Sequence, residues 1–593
     1  MEKIKGINGP IRDVASLNIP ENLVFEDFEL KNMAEWAMNY LMRSPKPEYN
    51  YQPVFQVFPL RFPSFREVDD PVVDCDTDAR MDWEWYYMRD IVKDERGKDV
   101  EEKFHERMRG FIREDGLAIA HPGCYHENLE NAVYGEADKI IHVWGTVKIL
   151  NSLSEEYIRT KNNERLVLAG KVYIGLRDLF IWGEDENGRF CYAPNGMGPV
   201  DLDFKKGNKQ AWGSQPAPVV GPLLKYYEAS GNTEAIDFAR AAANGIMYGK
   251  LPGSIRFYPN GGFGIAGDDG ILESGRNVGH SHGTMKAVWG ICELGLLTGE
   301  SVYIEFAKRS FDWMMSRGTG TGWFPAGPDN CNETCAISDM ISVATCLGLA
   351  GYAEYFDYAE RFFRNYILNL QFILTPEMKD YYRCYHKGQN PEDIERQLEL
   401  LTRVQGAIIG GSGINDFEND LLGNVSGFSI FGCCAPEGMR AVHTVWSRAA
   451  VMKDGILWVN MPFNLEKEWG TVKSYAPSAG GLQITTKQPC NVRVRVAHWA
   501  DKQTIKIKLN DTFINPKWDG DYLIAMVETG GILSVTWPLV CFKHTSQVWK
   551  VSAPDLKVSF TWEGNRVVGC EPEANEGKIP LFHKEQRRIP EFR

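Results

Sequence analysis

The chain has 593 residues, of which 44% are hydrophobic and 24% charged, and a formal net charge of −14 at pH 7. Its length predicts at least two folding units, and its acidic balance argues against a nucleic-acid partner, because nucleic-acid binders need a basic face. No run approaches the roughly eighteen apolar residues of a membrane span and the N-terminus has no apolar core, so we expect a cytoplasmic protein without a membrane partner.

The first predicted region, residues 1–30, is irregular, and we expect it either to be an isolated segment or to add a strand to a later β domain. The next region, residues 31–450, has helical periodicity and a degenerate repeat. Residues 230–240 match residues 298–308 without a gap in the order small-Gly, then Ile-acid-Phe-Ala-base, and weaker copies precede and follow them. The matching alanines are Ala169, Ala239, Ala307 and Ala359.

The repeat describes pairs of helices. In each full copy a glycine ends one helix and polar or acidic residues begin the next. Repeated helix pairs stack on their neighbours to bury surface that one pair cannot bury alone. The periods are longer and less even than those of regular solenoids, which favours pairs closed into a toroid with long functional loops. The sequence therefore predicts an (α/α)6 barrel.

The third region, residues 451–593, has the texture of a β domain. Stretches such as Asn491-Val-Arg-Val-Arg-Val and Ile532-Leu-Ser-Val-Thr-Trp alternate between apolar and polar residues, with turn residues between the stretches. Two further stretches at 557–562 and 566–569 are joined by Glu563-Gly-Asn565, which is typical of a hairpin. We expect a β-sandwich that ends in this C-terminal hairpin.

Two short motifs carry candidate chemistry. They are Cys331-Asn-Glu-Thr-Cys-Ala-Ile-Ser-Asp339 and Phe431-Gly-Cys-Cys-Ala-Pro-Glu437. Thirteen cysteines in a long chain are better explained as reduced thiols than as a disulfide framework. Three thiols and a carboxylate suit a tetrahedral zinc ion; the alternative is that these cysteines are small buried hydrophobes. The four residues are Glu333, Cys335, Cys433 and Cys434.

Glu333-Thr-Cys335 followed by Cys433-Cys434 resembles glycoside hydrolase family 127, the β-L-arabinofuranosidase family, and the resemblance extends over most of the chain. It implies a zinc ion (Zn²⁺) held by these four residues, with Cys433 also the nucleophile. The implied activity is that of a retaining exo-glycosidase that removes a terminal sugar from an oligosaccharide or glycoside. A homodimer is left open.

The resemblance also implies residues of a sugar pocket. His280 and His282, in Gly279-His-Ser-His-Gly283, and His142 match this role, although an isolated histidine is as often a satisfied polar residue. Gln215 stands where the family has a further pocket histidine. We expect two tryptophans to wall the site by stacking on sugar faces, namely Trp212 and Trp323.

The sequence departs from the family at the general acid. Where a glutamate is expected before Glu333, the chain reads Gly322-Trp-Phe-Pro325. Replacement acids are Asp329 and Glu437, either of which could equally be a surface carboxylate. Two other functions therefore stay open. One is a non-catalytic zinc-containing carbohydrate-binding protein, and the other is a sugar epimerase or unsaturated-uronide hydrolase that uses His280 and His282 as bases.

Overall fold

The computed structural model describes residues 7, 9–54, 56–58, 62–64, 75–119, 140–194, 199–201, 218–249, 255–265, 280–326, 332–415, 430–548 and 556–572. Within these residues the long helices precede residue 450 and the large sheets are formed mainly by residues after it. None of the helices in these ranges is both long and apolar enough to cross a bilayer.

Six helices of the described chain form the wall of a central bore. Each packs against the next, and the last packs against the first, so the ring is closed. The inner helices are α2 (Cys75–Val92), α4 (Val143–Thr160), α6 (Val220–Ser230), α8 (Ser281–Thr298), α10 (Thr334–Leu349) and α14 (Cys434–Ala449). Charged and polar residues are buried on these helices; in α10, for example, every residue from Thr334 to Gly348 is buried.

A second layer of helices surrounds this ring, and each of them packs on an inner helix adjacent in sequence. The outer helices are α1 (Leu30–Arg43), α3 (Lys98–Arg109), α5 (Asn163–Leu179), α7 (Glu234–Met247), α9 (Ser301–Met315) and α11 (Tyr355–Phe362). The four repeated alanines lie on α5, α7, α9 and α11 and are completely buried. The predicted (α/α)6 barrel is thus confirmed. A further pair, α12 (Pro376–Tyr385) and α13 (Pro391–Leu401), lies between α11 and α14 in sequence.

Three sheets are formed by strands that follow the toroid in sequence, together with one strand that precedes it. The strands are β1 (Ile11–Ser16), β12 (Ala450–Lys453), β13 (Ile456–Val459), β14 (Leu465–Lys467), β15 (Gly470–Ser474), β16 (Gly480–Thr486), β17 (Cys490–Arg495), β18 (Lys506–Leu509), β19 (Thr512–Phe513), β20 (Lys517–Asp519), β21 (Tyr522–Val527), β22 (Ile532–Trp537), β23 (Val540–Gln547), β24 (Lys557–Glu563) and β25 (Arg566–Glu571). Their orders in the sheets are β12-β13-β17-β21-β20, β14-β15-β16-β22-β18-β19 and β1-β23-β24-β25. The pairing is antiparallel except between β13 and β17, which are parallel.

Short two-stranded ribbons connect the toroid helices. Two of them contain parts of the cysteine motifs. In one, β9 (Asn332–Glu333) pairs with β10 (Gly411–Ser412), and in the other, β11 (Ile430–Phe431) pairs with β2 (Gln56–Val57). β9 ends directly before α10, and β11 ends two residues before α14, so each ribbon helps to fix where an inner helix begins. The other ribbons pair β3 (Ile140–His142) with β6 (Pro199–Asp201), β4 (Ile181–Asp185) with β5 (Gly188–Tyr192), and β7 (Ile255–Phe257) with β8 (Phe263–Ile265).

Candidate metal centre

Four of the residues singled out from the sequence occupy the same structural position, the N-cap of an inner helix. His142 precedes α4, His280 precedes α8, Glu333 precedes α10 and Cys433 precedes α14. The N-terminus of a helix presents free N–H groups and a partial positive charge, which stabilise anions such as thiolates and carboxylates. This end of the toroid therefore favours the ionised forms of the glutamate and the cysteine.

Glu333, Cys335, Cys433 and Cys434 form a compact cluster, with one ligand atom of each within 4.8 Å of those of the others. The Sγ atom of Cys434 lies 3.1 Å from that of Cys335, 3.5 Å from that of Cys433 and 3.6 Å from Oε1 of Glu333. Only Cys433 of the three thiols is partly exposed; the other two are buried.

The cluster fits a zinc ion in both geometry and charge. Around a tetrahedral zinc ion, thiolates are about 3.8 Å apart and a thiolate lies about 3.5 Å from a carboxylate oxygen. The Cys433–Cys434 and Cys434–Glu333 distances are close to these values, and the Cys335–Cys434 distance of 3.1 Å is shorter. Hydrogen bonds with Cys335 and Cys434 hold the pKa of Cys433 well below its ordinary value, whereas burial raises the pKa of the other two thiols. A bound dication would allow all four acidic groups to ionise together.

Arg80 of α2 is a neighbour of the cluster that the sequence analysis missed. Its Nη1 atom lies 3.8 Å from the Sγ atom of Cys335 and 3.5 Å from the carbonyl oxygen of Cys433. Its Nη2 atom donates to Asp76, one turn earlier, at 2.9 Å. The side chain is only 4% exposed, so its positive charge acts on the thiols at short range with little screening.

The two histidines of Gly279-His-Ser-His-Gly283 have different surroundings. The Nε2 atom of His280 lies 2.9 Å from Oε2 of Glu333, and 34% of the His280 side chain is exposed. Burial disfavours a charged His280 ring, but Glu333 outweighs burial and raises the pKa of His280. His280 thus lies at the accessible edge of the cluster, where a ligand could reach it.

His282 is fully buried, and both of its ring nitrogens are bonded within the protein. Nε2 lies 3.0 Å from Nη1 of Arg80, and because a guanidinium only donates, Nε2 must accept. Nδ1 therefore carries the proton and donates to Asp339 at 2.6 Å. This arrangement is inconsistent with the expected contact of His282 with a sugar, and also with a catalytic base at this position. Instead, the ring links Arg80 to α10.

Glu437 lies below the cluster and not at an accessible surface. Its side chain is 1% exposed, Oε1 accepts from Lys286, and Oε2 accepts from Arg440 at 2.6 Å. Burial opposes ionisation, but Lys286 and Arg440 outweigh it and hold the pKa of Glu437 well below its ordinary value. An ionised carboxylate has no proton to donate, so these surroundings argue against Glu437 as the general acid.

Of the remaining expected site residues, two lie within the described residues and three lie outside them. Trp323 is completely buried in the main apolar core and cannot stack on a sugar, which corrects the expectation for this residue. His142 is 6% exposed and its Nδ1 atom accepts from the backbone N–H of Gly145 at 3.0 Å, which makes it a helix cap. Asp329, Gln215 and Trp212 lie outside the described residues.

Solved structures with the same architecture support this description of the fold. A β-L-arabinofuranosidase of glycoside hydrolase family 127 from Geobacillus stearothermophilus T6 has a TM-score of 0.57 and 12% sequence identity, covering 92% of this chain and 86% of its own. A second family 127 β-arabinofuranosidase has a TM-score of 0.54 and 15% identity over 95% of this chain and 86% of its own. A third structure, described as a glycoside hydrolase, has a TM-score of 0.56 and 11% identity over 93% of this chain and 82% of its own.

By sequence, no protein-family model and no curated protein matches the chain. The likeness to the solved structures is therefore one of fold. The chain has the α/α toroid and β domain of the family that its two cysteine motifs resemble.

Proposed function

We propose that this protein is a retaining exo-acting glycoside hydrolase, in which Cys433 is the nucleophile and belongs to a zinc site. The observation that carries the proposal is the cluster of three thiols and a carboxylate at the N-terminal end of the bore. The shared fold supports it, because two of the similar structures are named as β-arabinofuranosidases. The proposed substrate is a terminal β-L-arabinofuranoside, or a related sugar, at the end of a glycan fragment.

Cys433 is the best placed of the three thiols to attack. The residue is partly exposed, whereas Cys335 and Cys434 are buried, which makes it the thiol nearest to solvent in the cluster. It also stands at the N-cap of α14, and the helix N-terminus stabilises its thiolate. Glu333, Cys335 and Cys434 would hold the metal together with Cys433, and when bound the ion would keep the thiols deprotonated at neutral pH.

The reaction would proceed in two displacements. The sulfur of Cys433 forms a bond to the anomeric carbon while the bond from that carbon to the leaving-group oxygen breaks, and this oxygen takes a proton from an acid. Water then attacks the same carbon, loses its proton to a base, and the Cys433 thiolate departs, so configuration is retained. With Glu437 disfavoured, Asp329 remains the candidate acid.

Substitution of Cys433 tests the proposal most directly. We expect Cys433→Ser to abolish hydrolysis of an aryl β-L-arabinofuranoside while part of the zinc is retained, because three ligands remain. The matched control is Cys384→Ser, an exposed thiol on α12 outside the cluster, which should keep both activity and metal. Wild-type protein without near-stoichiometric zinc, or full activity of Cys433→Ser, would contradict the mechanism. Zinc binding without hydrolysis of any aryl glycoside would favour the non-catalytic alternative.

The candidate acid can be tested on two kinds of substrate. General acid catalysis typically contributes about 10²–10⁴-fold, and an activated aryl leaving group needs little of it. We therefore expect Asp329→Asn to lose much more activity on an unactivated glycoside than on the aryl glycoside. Equal losses on both substrates would show that Asp329 is not the proton donor.

A further inference from the structure

A cavity of about 600 Å³ occupies the part of the bore below the metal centre. We call it the lower bore. The metal cluster lies at the first turns of α10 and α14, whereas the cavity is lined by later turns of α2, α4, α8 and α14 and by α6. It reaches Leu297 and Arg448, close to the C-terminal ends of α8 and α14, and Leu297 is 51% exposed. The lower bore therefore opens at the end of the toroid opposite the cysteines.

A layer of buried charge separates the lower bore from the metal centre. Lys148, Lys286 and Arg440 line the cavity and are at most 9% exposed. Lys148 pairs with Asp76, next to Arg80, and Lys286 and Arg440 both pair with Glu437. Breaking such pairs would leave uncompensated buried charges, which is costly. A molecule in the lower bore is thus held apart from Cys433.

Aromatic side chains form much of the cavity wall. Tyr87 stacks on the His443 ring, with the two centroids 4.2 Å apart and the planes at 6°. This stack covers one face of Tyr87, and cations lie over the rings of Trp83 and Trp289. The partly exposed rings of Tyr87, Tyr227 and Trp289 still offer apolar surface and polar edges, a combination that suits the apolar faces and hydroxyl groups of sugars. The aromatic residues that line the lower bore are Trp83, Tyr87, Tyr227 and Trp289.

The acidic groups of the wall are already paired with cations or other donors. Glu155 accepts from the Tyr87 hydroxyl at 2.8 Å and lies 3.2 Å from Nζ of Lys225. The Trp289 indole N–H donates to Glu293 at 2.8 Å, and Glu293 also pairs with Arg448.

Two further wall carboxylates are Glu228, which lies 2.8 Å from Nζ of Lys225, and Asp90, which lies 2.7 Å from Arg159 and 3.1 Å from His443. Paired charges of this kind do not select a strongly charged ligand. They do present fixed donors and acceptors to a neutral molecule that carries many hydroxyl groups, because a carboxylate has several acceptor positions and a guanidinium several donors.

We propose that the lower bore is a second saccharide-binding site, which takes a neutral mono- or disaccharide and is separate from the metal centre. Its volume lies within the range of about 300–1,000 Å³ that is usual for small-ligand sites. The inference rests on the cavity, its aromatic wall and its paired charges, and it holds whether or not Cys433 is a nucleophile.

Cavity-filling variants test this site and leave the ion pairs and hydrogen bonds between the lining helices in place. Ser447 and Asn151 line the lower bore from α14 and α4, so Ser447→Phe and Asn151→Trp each place a ring in its volume. The probes are L-arabinose, D-galactose and cellobiose, each titrated calorimetrically at millimolar concentrations into the full-length protein. We expect at least one probe to bind the wild type and to bind each variant at least about tenfold more weakly.

The controls separate the lower bore from other surfaces. Trp518→Ala, which removes a half-buried tryptophan of the β domain, should bind the probe like the wild type. A thermal melt identifies a variant that fails to fold. In that case a crystal of the wild type is soaked in the probe, and the position of the sugar density shows whether the probe binds in the lower bore. The proposal is overturned if no probe binds, if both folded variants bind like the wild type, or if the sugar density lies only at the metal centre.

Discussion

Two buried glutamates on neighbouring inner helices are in opposite electrostatic situations. Glu437 of α14 accepts from two cations, whereas Glu84 of α2 is completely buried and its Oε1 accepts from the indole N–H of Trp83. Burial, reinforced by the charge of Glu437, raises the pKa of Glu84 well above its ordinary value. Burial thus favours the neutral form of Glu84, whereas its two cations favour the ionised form of Glu437.

This difference predicts unequal responses to amide substitution. Glu437→Gln removes the buried negative charge that pairs with Lys286 and Arg440, and it should lower the free energy of unfolding by about 3 kcal/mol. Glu84→Gln replaces one neutral group with another and should change it by less than about 1 kcal/mol. Urea unfolding at pH 7, followed by tryptophan fluorescence, measures both. Equal losses, or a larger loss for Glu84→Gln, would contradict this assignment of charge.

The metal cluster can be predicted from the sequence, but the charged residues of α2 next to it cannot. The cluster is visible because adjacent cysteines and a nearby Glu-Thr-Cys are rare and chemically reactive. Asp76, Arg80 and Glu84 are four residues apart along α2, a spacing equally typical of a solvated helix face. Only closure of the toroid buries them. In the same way, the sequence does not distinguish a Trp323 that lines a sugar site from a Trp323 that packs in the apolar core.

At the scale of elements, α6 and α8 cross where two glycines face each other. A Cβ atom built on Gly290 would lie 2.8 Å from the backbone nitrogen of Gly221, whereas one built on Gly221 would find its nearest neighbour at 3.9 Å. Gly290→Ala must therefore push the helices apart and should cost about 1–3 kcal/mol. Gly221→Ala is the matched control and should be neutral or stabilising by up to about 1 kcal/mol, since alanine favours helix. Thermal melts that show equal shifts for the two variants would refute this account of the crossing.

A buried histidine of α3 is bonded to a carboxylate of α2, and this contact predicts that the stability of the fold depends on pH. The Nδ1 atom of His105 lies 2.6 Å from Asp82, and Nε2 lies 3.5 Å from Glu101. Burial favours the neutral ring, but the carboxylates outweigh it and raise the pKa of His105 from 6.5 to about 9. The charged ring therefore stabilises the fold fully below about pH 6.5, and this contribution is lost as the pH rises through 9.

The size of this contribution is on the order of 3 kcal/mol. We expect the free energy of unfolding of the wild type to exceed that of His105→Asn most at pH 6, and the difference to shrink steadily up to about pH 9.5. Because the comparison is between two nearly identical chains, titration of the other groups largely cancels. A difference that stays constant, or grows with pH, would show that the ring is neutral in the folded protein.

At the scale of the whole molecule, the toroid and the β domain meet through buried polar groups. The turn of the predicted hairpin contributes Asn565, whose side chain donates to Glu360 at 2.8 Å and accepts from Arg361 at 3.0 Å and from the Trp499 indole at 2.9 Å. The sequence predicts the hairpin from its turn residues. It does not predict this contact, because a turn asparagine is common for local reasons and its distant partners are set by tertiary packing.

An ion pair joins the same two parts of the molecule. Nη1 of Arg495, on β17, lies 2.9 Å from Oδ1 of Asp357, on α11, and both side chains are 2% exposed. Arg495→Met would leave Asp357 buried without its cation and should cost about 3–5 kcal/mol. Asp357→Asn should also destabilise. The double variant should lose less than the sum of the two, with a coupling of about 0.5–3 kcal/mol, because it leaves no unpaired buried charge.

Another arginine of β17 provides the matched control. Arg493 pairs with Asp519 inside the β domain, where the Asp519 side chain is 52% exposed, so Arg493→Met should cost no more than about 1 kcal/mol. Urea unfolding curves of the five proteins, including the wild type, give all of these values. If Arg495→Met costs no more than Arg493→Met, or if the two single losses are simply additive, the Asp357–Arg495 pair does not couple the β domain to the toroid. The association would then depend on the other contacts between the two parts, which include those of Asn565 and the shared apolar core.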